Sequence, residues 1–198
     1  MRKSINASVF GLLIVPAALV MQNPVTISVD PASRIWVKGT SSVRAYECQA
    51  PVFVSRITAG DEEALAGVLA GGKSIDSVQV SVASAAMDCR NGQMTGHMKK
   101  ALKVTEFDSI TFSVKDYALA AADSGMTVTL EGTLTLGGVT KDVSVTAVAK
   151  AAPDGALQLT GKHELNMRDY GLKPPTLMFG TMKVHDKVTV GFDLLLKN

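Results

Sequence analysis

The sequence predicts an all-β protein, an extended antiparallel barrel of about eight strands with one or two short helices, in a chain of 198 residues. The apolar residues are mostly Val, Leu, Ala and Met interleaved with Thr and Ser, a composition that favours strands. From Thr26 onward, apolar and polar residues alternate with a period of two, as in strands that bury one face. Turn residues separate the alternating segments and no linker divides them, which predicts a single domain.

The first 23 residues have the pattern of a secretory signal peptide. Arg2 and Lys3 precede an uncharged apolar run, Val9–Met21, which is short for a membrane span of about 20 residues. We therefore expect residues 1–23 to be removed and residues 24–198 to form the mature domain, in the periplasm or secreted. The alternative is an uncleaved anchor, and the pattern leaves the cleavage position open.

Export affects how the charges and cysteines are interpreted. Two of the 20 Lys and Arg lie in the leader, so the remaining cations equal the 18 Asp and Glu in number, which argues against a nucleic-acid partner. The only local basic cluster, Lys99, Lys100 and Lys103, is typical of the solvated side of a helix. In an oxidising compartment, the pair Cys48 and Cys89 predicts a disulfide, and two free buried thiols are the alternative.

The strands are defined by apolar residues at every second position. The clearest segment is Thr127–Leu136, where apolar residues share one face and Thr and Glu share the other. Gly137–Gly138 and Pro153–Gly155 predict hairpin turns between such segments. Gly132 and Gly161 fall at inner positions, where the missing side chain allows a sharp bend or leaves space. The apolar positions that alternation assigns to the inner face are Ile35, Val37, Val78, Val80, Val82, Ile110, Phe112, Val114, Val128, Leu130, Leu134, Leu136, Val143, Val145, Leu157, Leu159, Leu165, Val188, Val190, Phe192, Leu194 and Leu196.

Two interruptions of the alternation predict short helices. Asp61–Leu69 has acidic residues in its first turn, apolar residues on one side and Gly71–Gly72 after its end. Gly92–Leu102 brings Met94, Met98 and other apolar residues together at spacings of three and four. We expect both helices to cover an end of the barrel.

The sequence contains no recognisable catalytic or metal site. Its histidines, His97, His163 and His185, have no metal-type spacing, and the serine-nucleophile pattern G-x-S-x-G is absent. Strand parity points His163 inward, where it is interpreted as a core or cavity-lining residue, with a catalytic role as the alternative. The prediction is a protein that is not an enzyme and has no catalytic residues, no metal and no cofactor.

Four stretches of the chain are similar to one known family. They are Ser33–Ser41, Leu102–Phe112, Gly132–Lys141 and Arg168–Leu172, and the third matches the pattern G-x-L-T-x-x-G-V-T-K closely. The chain resembles the YceI-like proteins, exported lipocalin-like barrels associated with the binding of polyisoprenoids. The resemblance extends from about residue 26 to residue 198.

The resemblance implies a barrel whose pore holds a long isoprenoid or fatty chain. Alternation and resemblance together predict these ligand-binding, pore-lining residues: Leu102, Phe107, Ile110, Phe112, Val114, Leu130, Leu134, Leu136, Val145, Leu159, His163, Leu165, Met167, Tyr170, Phe179 and Phe192. The structural alternative is that these side chains fill an ordinary core.

Three functions compete at this stage. The first is non-enzymatic binding, transport or storage of a polyprenyl or quinone-like lipid. The second is an envelope or stress-response protein that acts through a protein partner, with lipid binding incidental. The third is a hydrolase or isomerase that uses His163. In the first two cases the processed protein is not integral to the membrane, and the sequence leaves a homodimer open.

Overall fold

A computed structural model describes residues 24–177 and 182–198. The predicted signal peptide, residues 1–23, and Phe179 lie outside the described residues, and the side chains of Leu177 and Met182 are not described. The described chain forms a closed antiparallel barrel with two short helices, so the predicted fold class is confirmed.

The strands and helices of the described chain follow in this order. They are β1 (Val25–Val29), β2 (Arg34–Ser41), β3 (Ala45–Ala50), β4 (Phe53–Ala59), α1 (Ala64–Leu69), β5 (Ile75–Ala83), α2 (Gly92–Leu102), β6 (Ser109–Ala122), β7 (Gly125–Leu136), β8 (Val139–Ala151), β9 (Leu157–Asn166), β10 (Thr176–Leu177) and β11 (Met182–Lys197). Short 3-10 turns occupy Ser84–Ala86, Pro153–Gly155 and Met167–Tyr170.

The barrel has eight positions around its ring, each of which we call a wall. β1 and β2 together form one wall, and β3 and β4 together form the next. β1 and β2 together run along β11, while β4 pairs with β1 and β3 pairs with β2. The other neighbours follow in the order β4, β5, β6, β7, β8, β9 and β11. The ring closes where Ser28 and Val29 of β1 pair with Lys197 and Leu196 of β11. Closure removes the exposed edges that an open sheet would present.

The two ends of the barrel contain separate buried clusters, of which the one at α1 is the larger. At the end where β4 leads into α1, a cluster of fully buried residues forms a solid core around Leu65, which is 1% exposed. This cluster includes Ile27, Ile57, Met126, Val128, Leu157 and Leu196. α2 lies at the opposite end and contains no buried residue. We call these the core end and the mouth end.

The predicted first residue is correct for α2 but not for α1. α2 begins and ends as predicted, and the Asn91 side chain caps it by accepting a 3.0 Å hydrogen bond from the Met94 amide. α1 begins at Ala64 rather than at Asp61. The Asp61 carboxylate instead accepts a hydrogen bond from the Glu63 amide at 2.9 Å, so the acidic residues form a turn before the helix.

The prediction that Gly132 and Gly161 leave open space is wrong. A Cβ on Gly132 would lie 2.3 Å from the Ser113 carbonyl oxygen, because β6 bulges opposite this glycine. A Cβ on Gly161 would lie 2.4 Å from the ring of Phe192, its cross-strand partner. One glycine therefore permits a close approach of backbone, and the other accommodates an aromatic ring.

The connection that carries α2 is fastened to β3. Cys48 of β3 and Cys89 form a disulfide, as predicted. Beside it, Gln49 and Asp88 exchange two backbone hydrogen bonds of 2.7 and 2.9 Å. These links fix the start of the α2 segment to the barrel wall.

Candidate ligand-binding cavity

The barrel encloses a cavity of about 300 Å³ between the packed core end and α2. Its volume lies at the lower limit of the range of about 300–1,000 Å³ that is common for small-molecule sites. The wall consists almost entirely of aliphatic and aromatic side chains from every wall of the barrel. Water gains few hydrogen bonds in such a space, so an apolar occupant is favoured.

Half-buried inward side chains show that this part of the barrel is not solidly packed. In a filled core, inward residues such as Val80, Leu134 and Val190 would be fully buried. Instead they line the cavity and remain partly accessible. Val128 and Leu157, nearer the core end, are only 4% and 2% exposed. Toward the mouth end, Leu136 and Val188 are buried again, at 6% each. The half-buried wall residues therefore lie midway along the barrel, between two buried clusters.

Most of the predicted pore residues lie in the cavity wall. They come from β6, β7, β8, β9, β11, α2 and the turn after β9. These residues are Leu102, Ile110, Phe112, Leu130, Leu134, Leu136, Val145, Leu159, His163, Leu165, Met167 and Phe192.

Three predicted wall residues lie elsewhere. The ring of Phe107 packs against Gly138 at the β7–β8 turn, where a Cβ on the glycine would lie 2.3 Å from it. Val114 packs on the core cluster beside the β6 bulge. Tyr170 is only 3% exposed and packs in a cluster with Leu172, so it fills a corner of the mouth end.

The sequence-based list omitted the opposite half of the wall. The structure adds cavity residues from β2, β4, β5, α1 and β11, among them Ile35, Ile57, Leu65, Val68, Val78, Val80, Val82, Val188 and Val190. Alternation assigns most of these residues to the inner face of a strand, so the sequence does indicate that they point into the barrel. The sequence does not tell which inward side chains line the cavity and which pack against other side chains.

The two ends of the cavity are closed in different ways. Leu65 and Val68 of α1 form its floor and are fully buried. At the mouth end the cover comes from Met98 and Leu102 of α2, which are only half-buried. Met side chains repack readily. The α2 end is thus the end through which a ligand would pass with the least disruption of packing.

Few polar groups face the cavity. Among the described residues, His163 is the only histidine in the wall, and no carboxylate or ammonium group lines it. The Tyr117 hydroxyl accepts a 2.9 Å hydrogen bond from the Ile75 amide. Burial raises the pKa of Tyr46 above its ordinary value of 10.0, so this wall residue stays neutral. The described part of the wall thus offers no fixed charge to anchor a strongly ionic ligand.

Within residues 24–177 and 182–198, no group of His, Cys, Asp and Glu is arranged to hold a metal ion. In the same part of the chain, no helix has the length and apolar character needed to cross a membrane.

The fold and cavity define a closed β-barrel with an apolar internal cavity. A model of the YceI-like domain matches residues 39–196, and the chain belongs to this family. The recognised resemblance is therefore confirmed.

Several solved structures share the fold. Burkholderia cenocepacia BcnA is 18% identical, with a TM-score of 0.66 over 85% of this chain and 99% of that one. A polyisoprenoid binding domain from Saccharophagus degradans, implicated in plant cell wall breakdown, is 13% identical, with a TM-score of 0.62 over 86% and 97%. The Campylobacter jejuni YCEI protein is 17% identical, with a TM-score of 0.56 over 75% and 82%. No curated protein sequence matches the chain.

Proposed function

We propose that the protein binds one long apolar lipid of the isoprenoid type inside the barrel, without catalysing its conversion. The observation that carries the proposal is the apolar cavity of about 300 Å³, closed at one end by α1 and covered at the other by α2. Its role would be to transport or store a polyprenyl or quinone-like molecule.

The chemistry of the wall suits such a ligand. Each Å² of apolar surface removed from water contributes about 25 cal/mol, so a chain that is apolar along its length gains affinity without polar contacts. A ligand with a flexible chain also loses conformational entropy on binding. A narrow cavity reduces the number of chain conformations, so the fit favours a slender molecule over a bulky one.

A structural relative supports the choice of lipid class. The Saccharophagus degradans domain of the same fold is a polyisoprenoid binding domain. An isoprenoid consists of branched apolar units, which match a wall built from Val, Leu and Ile. We extend that ligand class to this chain, with the length of the chain and its head group as variables to be measured.

Binding without catalysis is proposed because the described residues of the wall include no base, nucleophile or acid pair around His163. Among the described residues, His163 forms no hydrogen bond that would orient its ring for proton transfer. The histidine is therefore assigned to the wall as a ring of intermediate polarity.

We also propose that the barrel works outside the cytoplasm after loss of residues 1–23. The disulfide between Cys48 and Cys89 is suited to an oxidising compartment. N-terminal sequencing of the protein from its native host tests this directly. A mature chain that begins near residue 24 supports the domain boundary, and retention of Met1 contradicts it.

Organic extraction of the protein purified from its native host, followed by mass spectrometry, tests the function. We expect one long-chain polyprenyl or quinone-like species per barrel. Extracts that contain no lipid above the level of a barrel-free control would contradict the proposal. That result would instead favour an envelope protein that acts through a protein partner.

A further inference from the structure

Charge is distributed unequally between the two ends of the barrel. The described connections at the mouth end contain seven Lys and Arg against four Asp and Glu; they span residues 42–44, 84–108, 137–138 and 167–175. Those at the core end contain one Lys against five Asp and Glu; they span residues 60–74, 123–124 and 152–156. The barrel is nearly neutral overall but has a positive mouth end and a negative core end.

The cations of the mouth end are available to an external partner. Several lysines elsewhere are paired with carboxylates, as in Lys73 of the core-end connection with Asp116 at 2.7 Å and Lys115 of β6 with Asp142 at 2.6 Å. Among the described residues, Lys100, Lys103 and Lys173 form no salt bridge, and all three are exposed. Unpaired exposed cations give a stronger external field than pairs that neutralise each other.

Packing brings these cations to one side of the mouth. Lys103 ends α2 and lies 5.9 Å above the ring of Phe107, which itself packs at Gly138 in the β7–β8 turn. On the same hairpin, Lys141 lies 6.0 Å above the ring of Tyr170. The α2 terminus, the β7–β8 hairpin and the turn after β9 therefore form one basic rim.

An exposed apolar residue lies at the same end. Val43, at the tip of the β2–β3 turn, is 65% exposed and is followed by Arg44. The turn is ordered by the Ser41 side chain, which accepts hydrogen bonds from the amides of Val43 at 3.3 Å and Arg44 at 3.1 Å. An apolar tip beside a cation is suited to the boundary between lipid headgroups and acyl chains.

We propose that the mouth end docks on an anionic lipid bilayer, so that the opening under α2 faces the membrane. Negative headgroups complement the basic rim, and the acidic core end is directed away from the surface. The choice of a bilayer over an acidic protein rests on the proposed function, because an isoprenoid chain resides in a membrane. The charge asymmetry itself does not depend on what fills the cavity.

Flotation of the full protein with vesicles tests the proposal. The vesicles are phosphatidylcholine alone or with 30% phosphatidylglycerol, at low and at physiological salt. We expect binding only to the anionic vesicles, and weaker binding as salt rises. The triple variant Lys100→Gln, Lys141→Gln and Lys173→Gln should bind on the order of 100-fold more weakly, since each cation near such a surface contributes a factor of about five.

A control of equal charge separates orientation from net charge. Arg56, Lys150 and Lys162 are exposed, form no salt bridge among the described residues and lie on the walls or near the core end. Their triple replacement by Gln should leave vesicle binding within about threefold of the parent. Equal losses in the two triple variants would overturn the orientation.

Three further results would contradict docking on a membrane. Absence of binding to anionic vesicles refutes it, and capture of an acidic protein without vesicle binding assigns the rim to a protein partner instead. Vesicle binding is measured separately from lipid content. A barrel that contains an isoprenoid but ignores vesicles would therefore refute the docking alone and leave the proposed function intact.

Discussion

Replacement of Gly132 or Gly161 by Ala tests whether the neighbour of each glycine can move. The neighbour of Gly132 is backbone, and that of Gly161 is a side chain in the cavity wall. Gly132→Ala places a Cβ 2.3 Å from the Ser113 carbonyl oxygen, which is held in the β6–β7 ladder beside the bulge. Gly161→Ala places a Cβ 2.4 Å from the ring of Phe192. That ring is half-buried and borders the cavity, so it can move away from β9.

The expected changes in the free energy of unfolding follow from these contacts. Replacing Gly by Ala stabilises by about 0.4–1 kcal/mol through the unfolded chain where the site accepts the methyl group. Overpacking costs about 1–3 kcal/mol where it does not. We expect Gly132→Ala to destabilise by about 1–2 kcal/mol, because backbone must shift. We expect Gly161→Ala to change stability by less than about 1 kcal/mol, because a side chain can yield.

Chemical unfolding monitored by circular dichroism measures both effects. A matched variant, Phe192→Leu in the Gly161→Ala background, should recover any loss at Gly161, since it removes the ring that the new methyl group meets. Adding Phe192→Leu to Gly132→Ala should recover none of the stability that Gly132→Ala loses. Equal destabilisation at the two glycines, or a neutral Gly132→Ala, would refute the assignment of close backbone packing to one site and cavity wall to the other.

Three other predictions follow from the contacts described. Replacing Cys48 and Cys89 by Ala opens a loop of 41 residues. In the chain-entropy model, the free energy of unfolding should fall by about 4 kcal/mol. Thermal unfolding measures this loss, and an unchanged Tm would contradict it. The hydrogen bond from Lys197 holds the pKa of Asp30 below its ordinary value of 3.8. Its stabilisation is therefore present above that value and lost as pH falls below it, so Asp30→Asn should unfold more easily at pH 6 with a smaller difference at pH 3. His163→Gln should leave lipid content and any measured activity intact, and loss of a turnover in a folded variant would show catalysis.

The barrel was predictable because each wall repeats a simple pattern. Alternation identifies the inner face of a strand wherever one side contacts water, as in Thr127–Leu136, and the turns at Gly137–Gly138 and Pro153–Gly155 separate the walls. Alternation loses phase only at a bulge. In β6 the inner residues are Phe112 and Val114, and then Tyr117, because the bulge adds one residue.

The division of the interior was not predictable in the same way. Leu130 and Leu134 are the same residue type on the same face of β7, and both line the cavity. Leu130 is nevertheless buried against the core cluster, whereas Leu134 is half-buried. Leu136, further toward the mouth end on this face, is buried again, because it packs with Leu165 and Val188. This pattern of burial is set by packing. It depends on contacts between distant segments, which a local pattern does not contain.

The basic rim was also hidden in the sequence. Lys103, Lys141 and Lys173 are separated by more than thirty residues from one another, and the overall charge is nearly balanced. Only the barrel connections bring them to one end. The expectation that the cluster at Lys99, Lys100 and Lys103 is merely a solvated helix face omitted its neighbours from other strands.

The central claim is that the space inside the barrel holds the lipid. The measurement that tests it most directly is the lipid content of a variant in which that space is filled. Val80 lines the cavity and is half-buried, while Gln79 on the same strand is exposed on the outer face. We expect Val80→Trp, purified with its fold intact by circular dichroism, to lose most of the long-chain lipid that mass spectrometry detects in the parent, and Gln79→Trp to retain it. A folded Val80→Trp protein with the full lipid content of the parent would show that the ligand does not bind in the cavity.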